Sequence, residues 1–323
     1  MRVLRFVIML LGLLSSLPQT LAFSAEKFPS RPIKFVVGFA AGGGTDTVAR
    51  IMCEWLAHHL GQPCLVENRA GSGGMIAAQE VINSPPDGYT IMFVAPNNVI
   101  GNSLYKNLPF VFLRDSAPVA GLMRLTNVML VPPSLGVTTV AEFIALAKAR
   151  PGELHYASSG NGTSVHMSAE LFKLMTHFNM VHVPYRGAAP AYPDLLAGRV
   201  HVLFDNIPGA LGFVKAGKLR ALAVTAAVRS AALPDVPTIA ETVPGYEASV
   251  FYGVSAPKGT PPEVIEILNK AFTAALSDPN IQQRIAELGG VPLPTTITEF
   301  GKLLTDESEK WAQVVRSAGI SVE

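Results

Sequence analysis

The residues best placed to do chemistry in this 323-residue chain sit in one glycine-rich run, Phe39–Asp46, containing Ala41, Gly42, Gly43, Gly44 and Thr45. Successive glycines let the backbone come close to a ligand, and Thr45 or Asp46 can cap the helix that follows. Free N–H groups in such a loop and at a helix start attract an anion. A tight turn that holds no ligand is the plainer reading of the same glycines. A Walker phosphate loop would need a lysine after its glycines, and Gly44-Thr45-Asp46 supplies a carboxylate instead. The spacing from Gly38 to Gly44 does not spell a dinucleotide fingerprint either.

A second polar loop, Ser158–Thr163, carries Ser159, Gly160, Asn161 and Gly162 ahead of a helix beginning near His166. With hydroxyls on Ser158, Ser159 and Thr163, it is a polar, glycine-bearing version of the opening motif. His166 is either a cleft residue or a partly buried helix-start histidine, and Asp46 either caps its helix or meets a ligand or water. Tyr185 and Arg186 fall where a strand ends. Asp205-Asn206 end another strand, on the edge where open α/β sheets bind ligands. Asp205 there would repel a second carboxylate and welcome an amine or hydroxyl.

Enzyme and metal chemistry find little support. No Gly-x-Ser-x-Gly elbow, His-Glu-x-x-His pair or spaced Cys/His/Asp set occurs, so no catalytic residue, metal ligand or cofactor is assigned. The two cysteines, Cys53 and Cys64, are eleven positions apart and either form a disulfide or remain two buried thiols.

The elements that must position these residues alternate. An apolar strand from Ile33 runs into the glycine loop and the helix Thr47–Leu60, and Cys64–Glu67, a glycine turn at Gly71–Gly74 and the helix Met75–Ile82 repeat the design. Tyr89–Ala95 is a further strand, and Val119–Val131 reads as a crossing segment. The alternation restarts with a capping box at Thr139–Glu142, and Ala248–Ala256 is extended enough to cross back. Thr260–Glu263 reads as the cap of the helix Val264–Leu276. This pattern predicts an α/β fold with mainly parallel sheets covered by helices.

Arg2 and Arg5, the apolar stretch Phe6–Leu17 and small residues at Ala22 and Ser24 make residues 1–24 a secretory signal peptide, cleaved within 22–25. Removing those two arginines from the 25 basic residues leaves 23 against 24 acidic ones, which argues against a nucleic-acid partner. A hydrophobic content of 49% over the full chain leaves some 300 mature residues enough to fill two cores rather than one.

The chain resembles the Bug or TctC-like solute receptors of tripartite tricarboxylate transporters. The resemblance rests on Arg31-Pro-Ile, Ala41–Asp46, Val66–Asn68, Gly71–Gly74, Pro86–Thr90, Val183–Gly187, Leu233–Thr238 and Ala256–Pro261, in the family's order behind a signal peptide. It implies a monomeric, two-lobed periplasmic binding protein of the type II kind, with its ligand cleft between the lobes. Residues 26–124 plus 248–323 would form lobe 1, and 125–247 lobe 2. The ligand would be a small organic acid, one carboxylate being held by Phe39–Asp46 together with Ser158–His166. The partner would be the membrane permease subunits of such a transporter, or alternatively a membrane sensor kinase.

Overall fold

The computed structural model describes residues 28–317 and 319–322; the signal peptide expected at 1–24 lies outside them. From Arg31 onward the chain forms one compact unit. Strand β1 (Ile33–Val37) is an apolar, largely buried run, as a strand covered on both faces must be. Helix α1 (Gly44–Leu60) begins three residues before the periodic apolar positions suggest. Its N-cap is Gly43, in an extended conformation and without a side-chain cap. Thr45 and Asp46 therefore lie inside the first turn, and Asp46 Oδ2 reaches back to accept the Gly42 N–H at 2.9 Å.

The chain continues through β2 (Cys64–Asn68), the left-handed glycine turn Gly71–Gly74, α2 (Met75–Ile82), β3 (Thr90–Val94) and α3 (Pro96–Leu104). Three asparagines, a glycine and a serine blur the periodicity of α3, and its one clear sign is Pro96 at the first helical position. Next come the 16-residue strand β4 (Ser116–Val131), α4 (Val140–Ala149), β5 (His155–Ser158), α5 (Ser164–Thr176) and β6 (Val181–Pro184). The chain then adds β7 (Val202–Asn206), α6 (Ile207–Lys215), β8 (Arg220–Val224), β9 (Ser249–Pro257), α7 (Pro262–Ser277), α8 (Pro279–Glu287), β10 (Val291–Pro292) and α9 (Ile297–Ser317). Thr139 caps α4, accepting the Glu142 N–H at 3.1 Å. Thr260 does not cap α7: its hydroxyl donates to the Pro257 carbonyl at 2.8 Å, and Pro261 stands at the N-cap.

The strands order as β2-β1-β3-β9-β4-β7-β5-β6, with β8 and β10 also on β4. Pairing is parallel within β2-β1-β3 and within β7-β5-β6, and antiparallel wherever β4 or β9 takes part. Strand β4 changes partner part-way along. Ser116–Thr126 pair with β9, while Asn127–Leu130 pair with β7. Each parallel set thus joins an antiparallel crossing strand, and helices start from the strand ends nearest the crossing. Phe143, Phe172, Phe204 and Tyr156 are fully buried on one side of the second parallel set, and Val128, Leu203 and Ile207 on the other. Burial of that many large side chains is worth about 2 kcal/mol each and holds the scaffold that the polar loops need.

Cys53 on α1 and Cys64 at the start of β2 form a disulfide, with Cα atoms 5.0 Å apart and 11 positions between them. Closing so short a loop removes about 3 kcal/mol of unfolded-state entropy. Denaturant unfolding with and without reductant should therefore show a loss of about 2–3 kcal/mol on reduction. An unchanged midpoint would mean that the bridge restrains nothing the folded chain does not already hold.

Candidate ligand-binding site

A narrow cavity forms where four helices begin. Gly43, Gly44 and Thr45 at the start of α1 face Ser159, Thr163 and Ser164 at the start of α5. Ala95 and Asn97 come from the start of α3, and Asp205 and Asn206 lead into α6. Tyr252 of β9 closes the floor, with Phe39, Ala40 and Ala188 at the sides. Of these helices, α5 is capped, by Thr163 Oγ1 accepting the His166 N–H at 3.2 Å. The others start at Gly43, Ala95 and Asn206 without side-chain caps. The N–H groups of Gly44 and Thr45 at the start of α1 thus have no side-chain cap, whereas Pro96 in α3 and Pro208 in α6 carry no N–H. Each helix terminus still acts as roughly half a positive charge. Among the described residues, Asp205 is the one charged side chain in the lining.

The cavity leaves only about 20 Å3 in which a water molecule can be centred. It is narrow because two sets of loops have closed on each other. The Ala40 N–H donates to the Arg186 carbonyl at 3.2 Å, and the Tyr105 hydroxyl to the Asn161 carbonyl at 3.4 Å. A Cβ on Gly187 would sit 3.1 Å from the Ala40 nitrogen, and one on Gly160 3.1 Å from the Gly73 Cα. A second hollow of about 460 Å3 adjoins across Ser159, lined by Gly71–Gly74, Tyr105, Gly160, Asn161, Tyr185 and Arg186.

Phe39, Gly43, Gly44, Thr45, Ser159, Thr163 and Asp205 are thus brought together in the cavity, as grouped from sequence. Gly160, Asn161 and Tyr185 line the second hollow, where the Tyr185 hydroxyl donates to Asp194 Oδ2 at 2.6 Å. Ala41 and Gly42 are exposed on the outer turn of the first loop. Asp46 lies beneath that loop, accepting from Gly42, Arg50 and Asn68. Burial alone would raise its carboxyl pKa, but those hydrogen bonds outweigh burial and hold it below the usual range. Asp46 therefore fixes the loop rather than facing the cavity. Ser158, Gly162 and His166 lie behind the second loop, turned away from the cavity.

The sequence did not group Asn97 and Tyr252 with the site, while Ser164 falls inside the expected Ser158–His166 stretch. Pro96 was the signal for Asn97, and the crossing strand β9 the signal for Tyr252. Asn206, noted beside Asp205, ties these parts together. It donates to Asn127 and, at 3.5 Å, to Ser164, and it accepts the Tyr252 hydroxyl at 2.6 Å.

Asp205 and His166 are shifted in ways that show their surroundings. Burial lifts the Asp205 carboxyl to about 6, only partly offset by the Tyr192 hydroxyl and the Asn206 N–H that reach it. His166 is pushed down to about 4 by burial and then by Lys173, and His182 to about 3 by burial and then by His166. Glu170 and Lys173 on α5, Tyr156 on β5 and His182 on β6 are the groups around His166. Both imidazoles are neutral in the fold, so an unfolded chain takes up their protons first as pH falls. Their stabilisation is complete above pH 6.5 and lost towards pH 4. A fall from 6.5 to about 4 at His166 corresponds to about 3 kcal/mol. In denaturant melts, the change in unfolding free energy from pH 7 to pH 4 should be less favourable in the wild type than in His166→Asn by about that amount, a difference in which the opposite contribution of Asp205 cancels. Equal changes would contradict the assignment.

Residues 48–320 match the family described as the tripartite tricarboxylate transporter family receptor. The chain belongs to this family. The receptor is 37% identical to the protein BugT of Bordetella pertussis strain Tohama I over 303 residues, 93% of each chain. Among solved structures it is similar to R. palustris Rpa4515 with adipate, at a TM-score of 0.89 and 39% identity, covering 91% of this chain and 99% of that one. It is also similar to MatC from Rhodopseudomonas palustris with bound malate, at 0.85 and 31%, covering 89% and 100%. The receptor has the fold of a two-lobed, type II-like periplasmic binding protein, each lobe a mainly parallel sheet flanked by helices with the cleft between.

Proposed function

We propose that the receptor captures a small organic acid in this cavity and delivers it, chemically unchanged, to the membrane subunits of a tripartite tricarboxylate-type transporter. One observation carries the reading: three helix N-termini without side-chain caps converge on a cavity that, among the described residues, has no cationic side chain in its lining. Dipoles and N–H groups bind an anion firmly yet release it without breaking an ion pair. The carboxylate would sit on the N–H groups of Gly43, Gly44 and Thr45, with the Ser159 hydroxyl opposite. Adipate on Rpa4515 and malate on MatC support a carboxylate as the ligand class.

Asp205 would then take the ligand's hydrogen-bond donor, a hydroxyl or an amine. The partner exchange of β4 at Thr126/Asn127, and the start of β9 at Ser249, support a lobe division near 124/125 and 247/248. Work in the periplasm, as a monomer freed of residues 1–24, fits this role.

Gly43→Val is the direct test. Gly43 has an ordinary extended backbone, and a Cβ there meets its nearest neighbour, the Ala40 carbonyl, only at 3.7 Å. The variant should fold with a melting temperature within a few degrees of wild type, while the valine methyls fill the carboxylate seat. Calorimetric titration of ligand-free mature protein with malate and adipate should show at least a tenfold loss. Wild-type affinity in the variant would show that the acid does not bind at this loop.

A further inference from the structure

The ligand-facing loop Ser159–Thr163 has two left-handed glycines, Gly160 at φ +124° and Gly162 at φ +74°, so its backbone has unusual freedom. Both of their N–H groups are buried and must find acceptors. No backbone carbonyl supplies them. Gly160 N–H donates to Ser158 Oγ at 3.1 Å, and Gly162 N–H donates to His166 Nδ1 at 3.1 Å. Thr163 Oγ1 then donates to the Gly160 carbonyl at 2.8 Å and closes the loop on itself.

The two acceptors are braced from behind. Ser158 Oγ lies 2.6 Å from His182 Nε2, and the His182 ring stacks on His166 at 4.2 Å and on Tyr156 at 4.7 Å. Tyr156 donates to Glu170, which also receives Lys173 at 2.8 Å. An apolar residue would fill these buried sites as well as serine or histidine does, so packing alone does not explain the polar column.

We propose that His166 and Ser158, braced by the stacked ring of His182, are positioning residues that fix the Ser159–Thr163 loop and so set the affinity of the cavity for its ligand. None of the three lines the cavity. They act through the directions of Ser159 and Thr163, which do, and through Asn161, whose carbonyl receives Tyr105 from across the cleft. A shift of about 1 Å in such a loop is enough to change binding tenfold or more. The affinity part of this proposal rests on the cavity being the carboxylate site; the loop-fixing part does not.

The test separates the acceptor from the ring. His166→Asn keeps an acceptor near the Nδ1 position, His166→Phe keeps the stacked ring without one, and Ser158→Ala removes the other acceptor. Hydrogen exchange of the ligand-free protein should show Gly162 protected in wild type and in His166→Asn, and at least tenfold faster in His166→Phe. Gly160 should behave likewise in Ser158→Ala. Unchanged protection in His166→Phe and Ser158→Ala would overturn the proposal.

With malate and adipate as probes, His166→Phe and Ser158→Ala should each weaken binding at least tenfold, while His166→Asn stays within about threefold. Equal affinity in wild type and all three variants would overturn the positioning role. If wild type bound neither probe, the carboxylate reading would be damaged, and exchange at Gly160 and Gly162 would still decide the loop.

Discussion

Gly73→Ala is expected to weaken carboxylate binding by about two orders of magnitude while the protein still folds. Gly73 sits at φ +59° in the turn Gly71–Gly74, and a Cβ there would lie well inside contact distance of the Asn161 carbonyl. That carbonyl is backbone, so it cannot swing aside as a side chain would. With Gly160 packed against the same residue, the clash is relieved only by moving the two loops apart. The left-handed backbone itself costs alanine about 1 kcal/mol in every state. The clash acts on the closed state alone. A closed state destabilised by about 2.7 kcal/mol lowers the apparent affinity a hundredfold, because only the competent fraction binds. Titration with malate or adipate measures this, and small-angle scattering should show the variant staying more extended when ligand is added. A variant that bound normally and compacted normally would show that contact between Gly73 and Asn161 is no part of closure.

Asp205→Asn should make the protein more stable at neutral pH and less discriminating. The Asp205 carboxyl, with a folded value of about 6 against 3.8 in the open chain, binds its proton more tightly when folded. Its contribution is therefore fully present below pH 3.8 and lost as pH rises through 6. At pH 7 the ionised, buried group costs about 3 kcal/mol relative to a neutral one. Asparagine has the same shape, can still accept from Tyr192 and carries no charge, so unfolding at pH 7 should need about 2–3 kcal/mol more free energy. The gain should vanish near pH 4. A costly charge kept at the edge of a binding cavity is the usual mark of function traded against stability. A hydrogen bond to a charged acceptor contributes about 1.5–3 kcal/mol, so wild type should prefer malate over succinate tenfold or more and the variant should not. A variant less stable at pH 7, or one with an unchanged preference, would contradict this role.

How far the sequence revealed the molecule depended on what kind of residue carried the information. Apolar strands such as Ile33–Val37 and helices with a clear face, such as α7, were legible because burial imposes a period on the sequence. The start of α1 was not, because Gly43 caps it through conformation and offers no side-chain signal. Within the site, the glycine loop and Asp205 were visible as residue types at strand ends. His166 was visible too, but the sequence left open whether it faced the cleft or the helix start. What decided it was Gly162, whose N–H takes the Nδ1 lone pair from behind the loop. Tyr252 and Asn97 were hidden because they reach the cavity from elements far away in sequence, and only the strand order β3-β9-β4 brings them there.

The central claim is that a carboxylate sits on the uncapped start of α1. A crystal structure of the mature protein with whichever acid gives the larger thermal shift, malate or adipate, tests it most directly. The account predicts carboxylate oxygens at about 2.7–3.2 Å from the backbone nitrogens of Gly44 and Thr45, with Ser159 opposite. A carboxylate resting on Arg186 in the second hollow, with the four helix starts facing only water, would contradict it.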